Sequence, residues 1–218
     1  MTIIALSANI EAPWFNEQFS YWLAQLNEQE AHRYVLMKSK RKQQQMLLSR
    51  ALLSKALAHF DCTLNRAYEI FNYTTLILDN KSQTFAISIT HSGDMAAIIL
   101  SDQPLRVGID IEQIKKRNFA ELAKEICTKT ELALIKTRKN IEADFYQLWT
   151  VKESLAKASL RPLTDLYQCD CSAVLTSDKT SIDWHCVTYT VICPNVQGYK
   201  TAIVINSEDK VLLNLSSA

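Results

Sequence analysis

The chain has 218 residues, with 24 Lys and Arg against 23 Asp and Glu, so its formal net charge is +1. That balance supplies no field for gathering nucleic acid or an anionic membrane, and no run approaches the roughly 20 apolar residues that span a bilayer. Only three residues are glycine, where average usage would give about fifteen. Neither a GxGxxG nor a GxxxxGK[ST] phosphate loop can be written, so any phosphate must be gripped by side chains or a metal.

Apolar residues make up 48% and charged residues 22%, which is material for a folded core, and the length lies between one domain and two. Met1 to Phe15 lacks the basic leader and sustained apolar stretch of a secretory signal. The six cysteines form no CxxC pair. The expectation is a cytoplasmic protein with reduced, mostly buried thiols.

Residues 2–7 are apolar and partly β-branched, which predicts a strand. Trp14, Phe15, Phe19, Trp22, Leu23 and Leu26 recur at helical spacing. Asn27 with Glu30 three residues later reads as a helix start, and Met46, Leu47, Arg50, Leu53, Ala56 and Leu57 continue an amphipathic pattern up to His59. From Tyr68 to Glu112 the period becomes two. Strands are predicted at 68–78, 85–90, 95–100 and 105–112, with turns at Asp79-Asn80 and Ser92-Gly93-Asp94.

Helices return at 119–126, 130–137 and 141–160, the last stopped with help from Pro162. Strands are predicted again at 166–175, 182–192 and 199–205, the first placing Cys169 and Cys171 on one face. Residues 207–218 carry no clear signal. The order strand, helices, strands thus occurs twice. It predicts an α+β protein of two similar halves, 1–104 and 105–218, joined near Ser101 to Pro104. A groove between halves is a natural place for a ligand.

Three segments carry candidate chemistry. Ser88-Ile89-Thr90-His91-Ser92-Gly93 ends a strand in a histidine that can donate to a phosphate oxygen, beside a turn that can expose backbone N–H groups. In Val107-Gly108-Ile109-Asp110-Ile111-Glu112, period two puts Asp110 and Glu112 on one face. Two hard carboxylates at that spacing can share a magnesium ion. In Trp149-Thr150-Val151-Lys152-Glu153-Ser154-Leu155-Ala156-Lys157, Glu153 and Lys157 are i,i+4 neighbours on a helix. Glu153 can complete the metal site, and Lys157 can neutralise the phosphate that the metal holds. A solvated acidic strand face and an exposed Glu-to-Lys pair are the plainer accounts of the last two segments. The basic run Lys38-Ser39-Lys40-Arg41-Lys42 suits a ligand phosphate, an acidic partner or simply a solvated helix start.

In combination, ITHSG at 89–93, GIDIE at 108–112 and WTVKESLAK at 149–157 resemble the 4′-phosphopantetheinyl transferases, specifically the larger, surfactin-synthetase-activating type. Weaker likeness includes Arg33-Tyr34 with LLSRALL at 47–53, TKTE at 128–131 and GYKTAIV at 198–204. The resemblance implies an α+β intramolecular pseudo-dimer with coenzyme A between its halves. It implies Mg2+-dependent transfer of the phosphopantetheine arm of coenzyme A to a serine of an apo acyl or peptidyl carrier protein, with release of 3′,5′-ADP, by a cytoplasmic monomer.

By position, Asp110, Glu112 and Glu153 would bind magnesium, and Thr90, His91 and Lys157 would meet coenzyme A. Asp110, Glu153 and Lys157 would form the catalytic group, with Glu153 the candidate base and Lys152 in a supporting electrostatic role. The family often has serine where Thr90 stands. The Gly-Lys-Pro stretch usual upstream of the histidine is replaced by Leu78-Asp79-Asn80-Lys81, leaving Lys81 as a candidate substitute. A carrier-docking surface is expected near Ile114, Lys115, Lys116, Arg117, Phe119 and Leu122. Two other functions use the same residues: a Mg2+-dependent phosphodiesterase or nucleotide hydrolase, and a non-catalytic carrier-protein-binding module.

Overall fold

The computed structural model describes residues 2–64, 68–72, 74–78, 83–207 and 212–214. The chain divides into two compact units, Met1–Pro104 with Asp209–Ala218, and Leu105–Glu208. Each unit combines one sheet with helices, so the fold class is α+β, as expected from the element order. Among the described residues no helix is long and apolar enough to cross a membrane.

The first unit opens with strand β1 (Ile3–Asn9), three short helices α1 (Pro13–Asn16), α2 (Phe19–Ala24) and α3 (Glu28–Leu36), and the long α4 (Lys40–Ala58). Asn27 caps α3 by accepting from the Glu30 N–H at 2.9 Å, the start its sequence signals. Strands β2 (Glu69–Phe71), β3 (Thr75–Leu78), β4 (Gln83–Ser92) and β5 (Met95–Ser101) follow. The single strand expected over 68–78 is instead a hairpin, with Glu69 opposite Ile77 and Asn72 at φ +48° in its turn. Asparagine tolerates the left-handed region, so a turn fits inside a stretch whose period never breaks. The turn expected at Asp79-Asn80 and the candidate Lys81 lie outside the described residues.

Sheet order in this unit is β11-β1-β5-β4-β3-β2, where β11 (Leu212–Asn214) runs parallel to β1. The tail therefore returns to the first sheet, and the second unit ends at Glu208 rather than at 218. A three-residue strand is too short for its period to stand out, which is why residues 207–218 gave no signal. Helix α4 covers the sheet with Leu47, Leu48, Ala51 and Leu52 buried among Ile4, Leu6, Ile98 and Leu100.

The second unit contains β6 (Val107–Gln113), α5 (Phe119–Ile126), α6 (Lys129–Thr137), α7 (Ile141–Ser159), 3-10 turns at Leu163–Gln168 and Ser172–Leu175, then β7 (Lys179–Trp184), β8 (Val187–Ile192), β9 (Asn195–Val196) and β10 (Tyr199–Ile205). Its antiparallel sheet is ordered β6-β10-β8-β7, with β9 on β10. Leu148, Val151 and Leu155 of α7 pack on Ala202 and Val204 of β10.

Two predicted strands come out differently. Residues 166–175 form 3-10 turns, because the carbonyls of Leu166 and Cys169 bond to the Lys152 ammonium rather than to a neighbouring strand. Residues 182–192 fold back at His185-Cys186, both at positive φ (+49° and +62°), and pair as β7 and β8. All six cysteines are free, with four buried, Cys62 intermediate and Cys186 exposed.

Helix α7 ends at Leu160, which is left-handed at φ +55° and 66% exposed. The Arg161 N–H bonds the Ala156 carbonyl at 3.2 Å, the closure that normally takes glycine at the left-handed residue. Leu160→Gly removes a strain of roughly 1–2 kcal/mol. Thermal unfolding is expected to rise by about 2–4 °C per kcal/mol gained, readable by calorimetry. An unchanged or lower midpoint would contradict this account.

Candidate functional site

The site is built where α7 meets β6. A Cβ on Gly108 would stand 2.0 Å from the Ser154 carbonyl oxygen and 3.0 Å from the Ala158 nitrogen, both backbone atoms of α7. The helix therefore rests directly on the strand at this residue, an approach open only to glycine. Ser154 Oγ donates to the Ala202 carbonyl on β10 at 2.9 Å, which ties the same turn of helix to the next strand.

That contact fixes what lies beside it. On β6, Ile109 and Ile111 are fully buried, and alternation turns Asp110 and Glu112 to the other face. Asp110 is only 4% exposed, so the solvated acidic face considered from sequence is not what forms. Lys157 Nζ donates to Asp110 Oδ1 at 2.9 Å and to the Ile109 carbonyl at 3.0 Å. Its side chain remains 31% exposed, against 6% for that of Asp110. Glu112 is half-buried and stands opposite Lys200 in the β6–β10 register.

Glu153, one turn before Lys157, completes the group. Its carboxyl is pushed above the ordinary carboxylate range, first by burial and then by the negative charge of Asp110. Lys157 opposes that shift, and Glu112 adds to it. Asp110, Glu112, Glu153 and Lys157 are thus within electrostatic reach of one another. Around Glu153, two further carboxylates against one ammonium leave an excess of negative charge in a partly dry place, where such charge is costly.

The arrangement suits a hard divalent cation. Its acidic groups are carboxylates, the ligand type that magnesium prefers, and a cation there relieves the repulsion that raises Glu153. Among the described residues no group of three His, Cys, Asp or Glu side chains stands preassembled at metal-binding spacing, and the Lys157 ammonium occupies Asp110.

The other candidates fall elsewhere. Lys152 is fully buried, and its ammonium is 3.1 Å from Glu131 Oε1, not beside the three carboxylates. The supporting electrostatic role expected for it at the phosphates does not match that placement. Its sequence position contained the signal: Leu148, Val151, Lys152 and Leu155 share one helical stripe, the stripe that packs inward. Glu131, the last residue of the TKTE segment, is the partner that no spacing in the sequence singles out. It forms a capping box with Thr128, whose N–H donates to Glu131 Oε2 at 2.7 Å.

Thr90 and His91 belong to the first unit, at the end of β4. Thr90 is buried opposite Ala97, and His91 is exposed opposite Ala96. The hairpin turn that follows has Gly93 at φ +58°. It is held by α4: Arg41 pairs with Asp94 at 2.8 Å, and Arg41 Nε and Gln45 Nε2 donate to the Gly93 carbonyl at 2.8 and 2.7 Å. Within the basic run, Arg41 thus has a structural partner, while Lys38, Lys40 and Lys42 are exposed. Lys115, Lys116 and Arg117 of the expected docking segment are also exposed.

Residues 106–204, nearly the whole second unit, match the family model described as the 4′-phosphopantetheinyl transferase superfamily. This part of the chain is thus similar to that superfamily. It is 40% identical over 72 residues to the 4′-phosphopantetheinyl transferase Sfp of Bacillus subtilis, a match covering 32% of this chain and 31% of Sfp. It is 37% identical over 73 residues to the 4′-phosphopantetheinyl transferase AcpT of Salmonella typhimurium, covering 32% of this chain and 38% of that protein. The matched segment thus spans about a third of each relative's length. Among solved structures, the crystal structure of Thermotoga maritima holo-[acyl-carrier-protein] synthase matches over 46% of this chain and 62% of that one, at 17% identity and a TM-score of 0.32.

Proposed function

We propose that this protein transfers the 4′-phosphopantetheine arm of coenzyme A to a serine of an apo carrier protein, acting as a magnesium-dependent cytoplasmic monomer. The observation that carries this reading is the gathering of Asp110, Glu112 and Lys157 within electrostatic reach of Glu153, inside the segment that matches the superfamily. In the reaction, the serine oxygen forms a bond to the β-phosphorus of coenzyme A. The bond from that phosphorus to the bridging oxygen breaks, and 3′,5′-ADP leaves.

Asp110, Glu112 and Glu153 would hold the magnesium ion. When bound, such an ion neutralises the charge that develops on the pyrophosphate. Lys157 adds a positive charge at the same place and pairs with Asp110. Glu153 would accept the serine proton. By their place in the ITHSG motif, Thr90 and His91 bind a phosphate of coenzyme A, and Lys81 replaces the lysine of the missing Gly-Lys-Pro stretch. The exposed cations at 115–117 suit the acidic recognition helix of a carrier protein.

The test is mass spectrometry of a panel of apo carrier proteins incubated with coenzyme A, magnesium and this protein. One panel member is expected to gain a single phosphopantetheine arm, and chelation of the metal should abolish the gain. Hydrolysis of coenzyme A without any modified carrier would favour the hydrolase instead. His91→Ala is expected to raise KM for coenzyme A by about tenfold, the worth of one hydrogen bond to a charged group. An unchanged KM would remove His91 from the phosphate site.

A further inference from the structure

We infer that Lys152 and Glu131 form a positioning strut that sets the axial register of α7, and with it the placement of Glu153; this rests on the transferase reading above. Both side chains are fully buried. The three ammonium protons of Lys152 have three acceptors: Glu131 Oε1 at 3.1 Å, the Leu166 carbonyl at 3.0 Å and the Cys169 carbonyl at 2.7 Å. Glu131 is held in turn. Its Oε1 accepts from the Cys171 N–H at 2.8 Å, and its Oε2 accepts from the Thr128 N–H at 2.7 Å. One ion pair thereby joins the middle of α7 to the start of α6 and to the turns at 163–175.

A buried pair of this kind is a poor way to gain stability, because desolvating two charges offsets most of their attraction. Apolar side chains of similar volume would hold the helix down as well. What the ions add is direction. Leu148, Val151 and Leu155 press α7 onto the sheet, but such contacts resist sliding along the helix axis only weakly. Hydrogen bonds to the Leu166 and Cys169 carbonyls of one 3-10 turn resist it strongly.

Sliding matters because Glu153 is the next residue. Successive helical residues lie about 100° apart around the axis and 1.5 Å apart along it. With Lys152 locked to the 163–169 turns, Glu153 is presented toward Asp110 on β6. A misplacement of about 1 Å at a reacting group can cost on the order of a hundredfold in rate. Lys152 is therefore a positioning residue that acts through Glu153, not a phosphate ligand.

The test uses the whole chain carrying both Lys152→Met and Glu131→Gln, which removes the two charges together and leaves neither stranded. Three readouts are compared with the parent at a temperature where both are fully folded: thermal midpoint, kcat and KM for an apo carrier protein, and calorimetric titration of magnesium into the coenzyme A-saturated protein. The inference expects a folded variant whose kcat falls by about 10–100-fold while KM for the carrier stays within about twofold, and whose magnesium affinity falls about tenfold. A folded variant with parental kcat and magnesium affinity would overturn it, leaving the pair a purely structural role. Should the double variant fail to fold, Glu131→Gln alone, which keeps the shape and one accepting oxygen, is read by the same criteria. A parent that neither transfers the arm nor binds magnesium would overturn the transferase reading beneath it, an outcome the variant comparison separates.

Discussion

Gly108→Ala is expected to damage both stability and transfer, although it adds a single methyl group and changes no charge. The added carbon would lie 2.0 Å from the Ser154 carbonyl oxygen and 2.9 Å from its carbon, so no side-chain adjustment can make room. Either β6 or α7 must retreat by more than an ångström. Overpacking of this kind costs about 1–3 kcal/mol, and with only backbone to yield, the upper end applies. The thermal midpoint is expected to fall by roughly 6–12 °C. Transfer by the folded fraction is expected to fall on the order of a hundredfold, because Asp110 and Glu112 ride on the strand while Glu153 and Lys157 ride on the helix. Gly198→Ala is the control. Gly198 has φ +75° but nothing within 4 Å of an added carbon, so it is expected to lose roughly 1–2 kcal/mol of stability from strain alone and to keep its transfer rate. Equal activity losses in the two variants would show that the Gly108 contact does not set the site.

The contrast between these glycines marks what a sequence carries and what it leaves to packing. Strand β6 and helix α7 were legible because each obeys its period over many residues, and alternation alone put Asp110 and Glu112 on one face. The i,i+4 spacing likewise placed Glu153 and Lys157 together on the helix. Their convergence on β6 is implied by the motif resemblance but not by periodicity, since it depends on how closely Gly108 lets the helix approach.

Elsewhere the local signals were weak or misleading. The turn between β7 and β8 uses His185 and Cys186 at positive φ, where glycine or asparagine would have announced it. The stretch at 166–175 is apolar enough for a strand, but its carbonyls are claimed by a lysine fourteen residues or more away in sequence. Lys152 is expected from sequence in a supporting electrostatic role, yet it is buried, a place lysine rarely takes unpaired. Its partner, Glu131, comes from a different helix, so no short window of sequence shows both.

Glu153→Gln is expected to separate activity from stability. The substitution keeps the shape and removes the charge, and with it both a carboxylate for the metal and the acceptor for the serine proton. Loss of a general base costs about 10²–10⁴-fold in rate, and transfer is expected to fall at least that far. Stability should move the other way. The native carboxyl holds its proton more tightly than the unfolded one, because burial, Asp110 and Glu112 outweigh Lys157. Above both ionisation ranges the folded protein therefore bears a penalty for carrying Glu153 charged, and that penalty disappears as pH falls through the native, raised value. Glutamine carries no such penalty at any pH. In metal-free buffer at neutral pH the variant is expected to melt higher than the parent, and the difference should shrink on acidification as Glu153 takes up its proton. Magnesium supplies the opposing term: it should raise the melting temperature of the parent more than that of the variant, because only the parent retains all three carboxylates. A variant that melts lower than the parent without metal, and responds equally to magnesium, would mean that Glu153 is stabilised where it stands and is no ligand. The three carboxylates would then be a structural cluster neutralised by Lys157, and the transfer chemistry would have to be sought elsewhere in the chain.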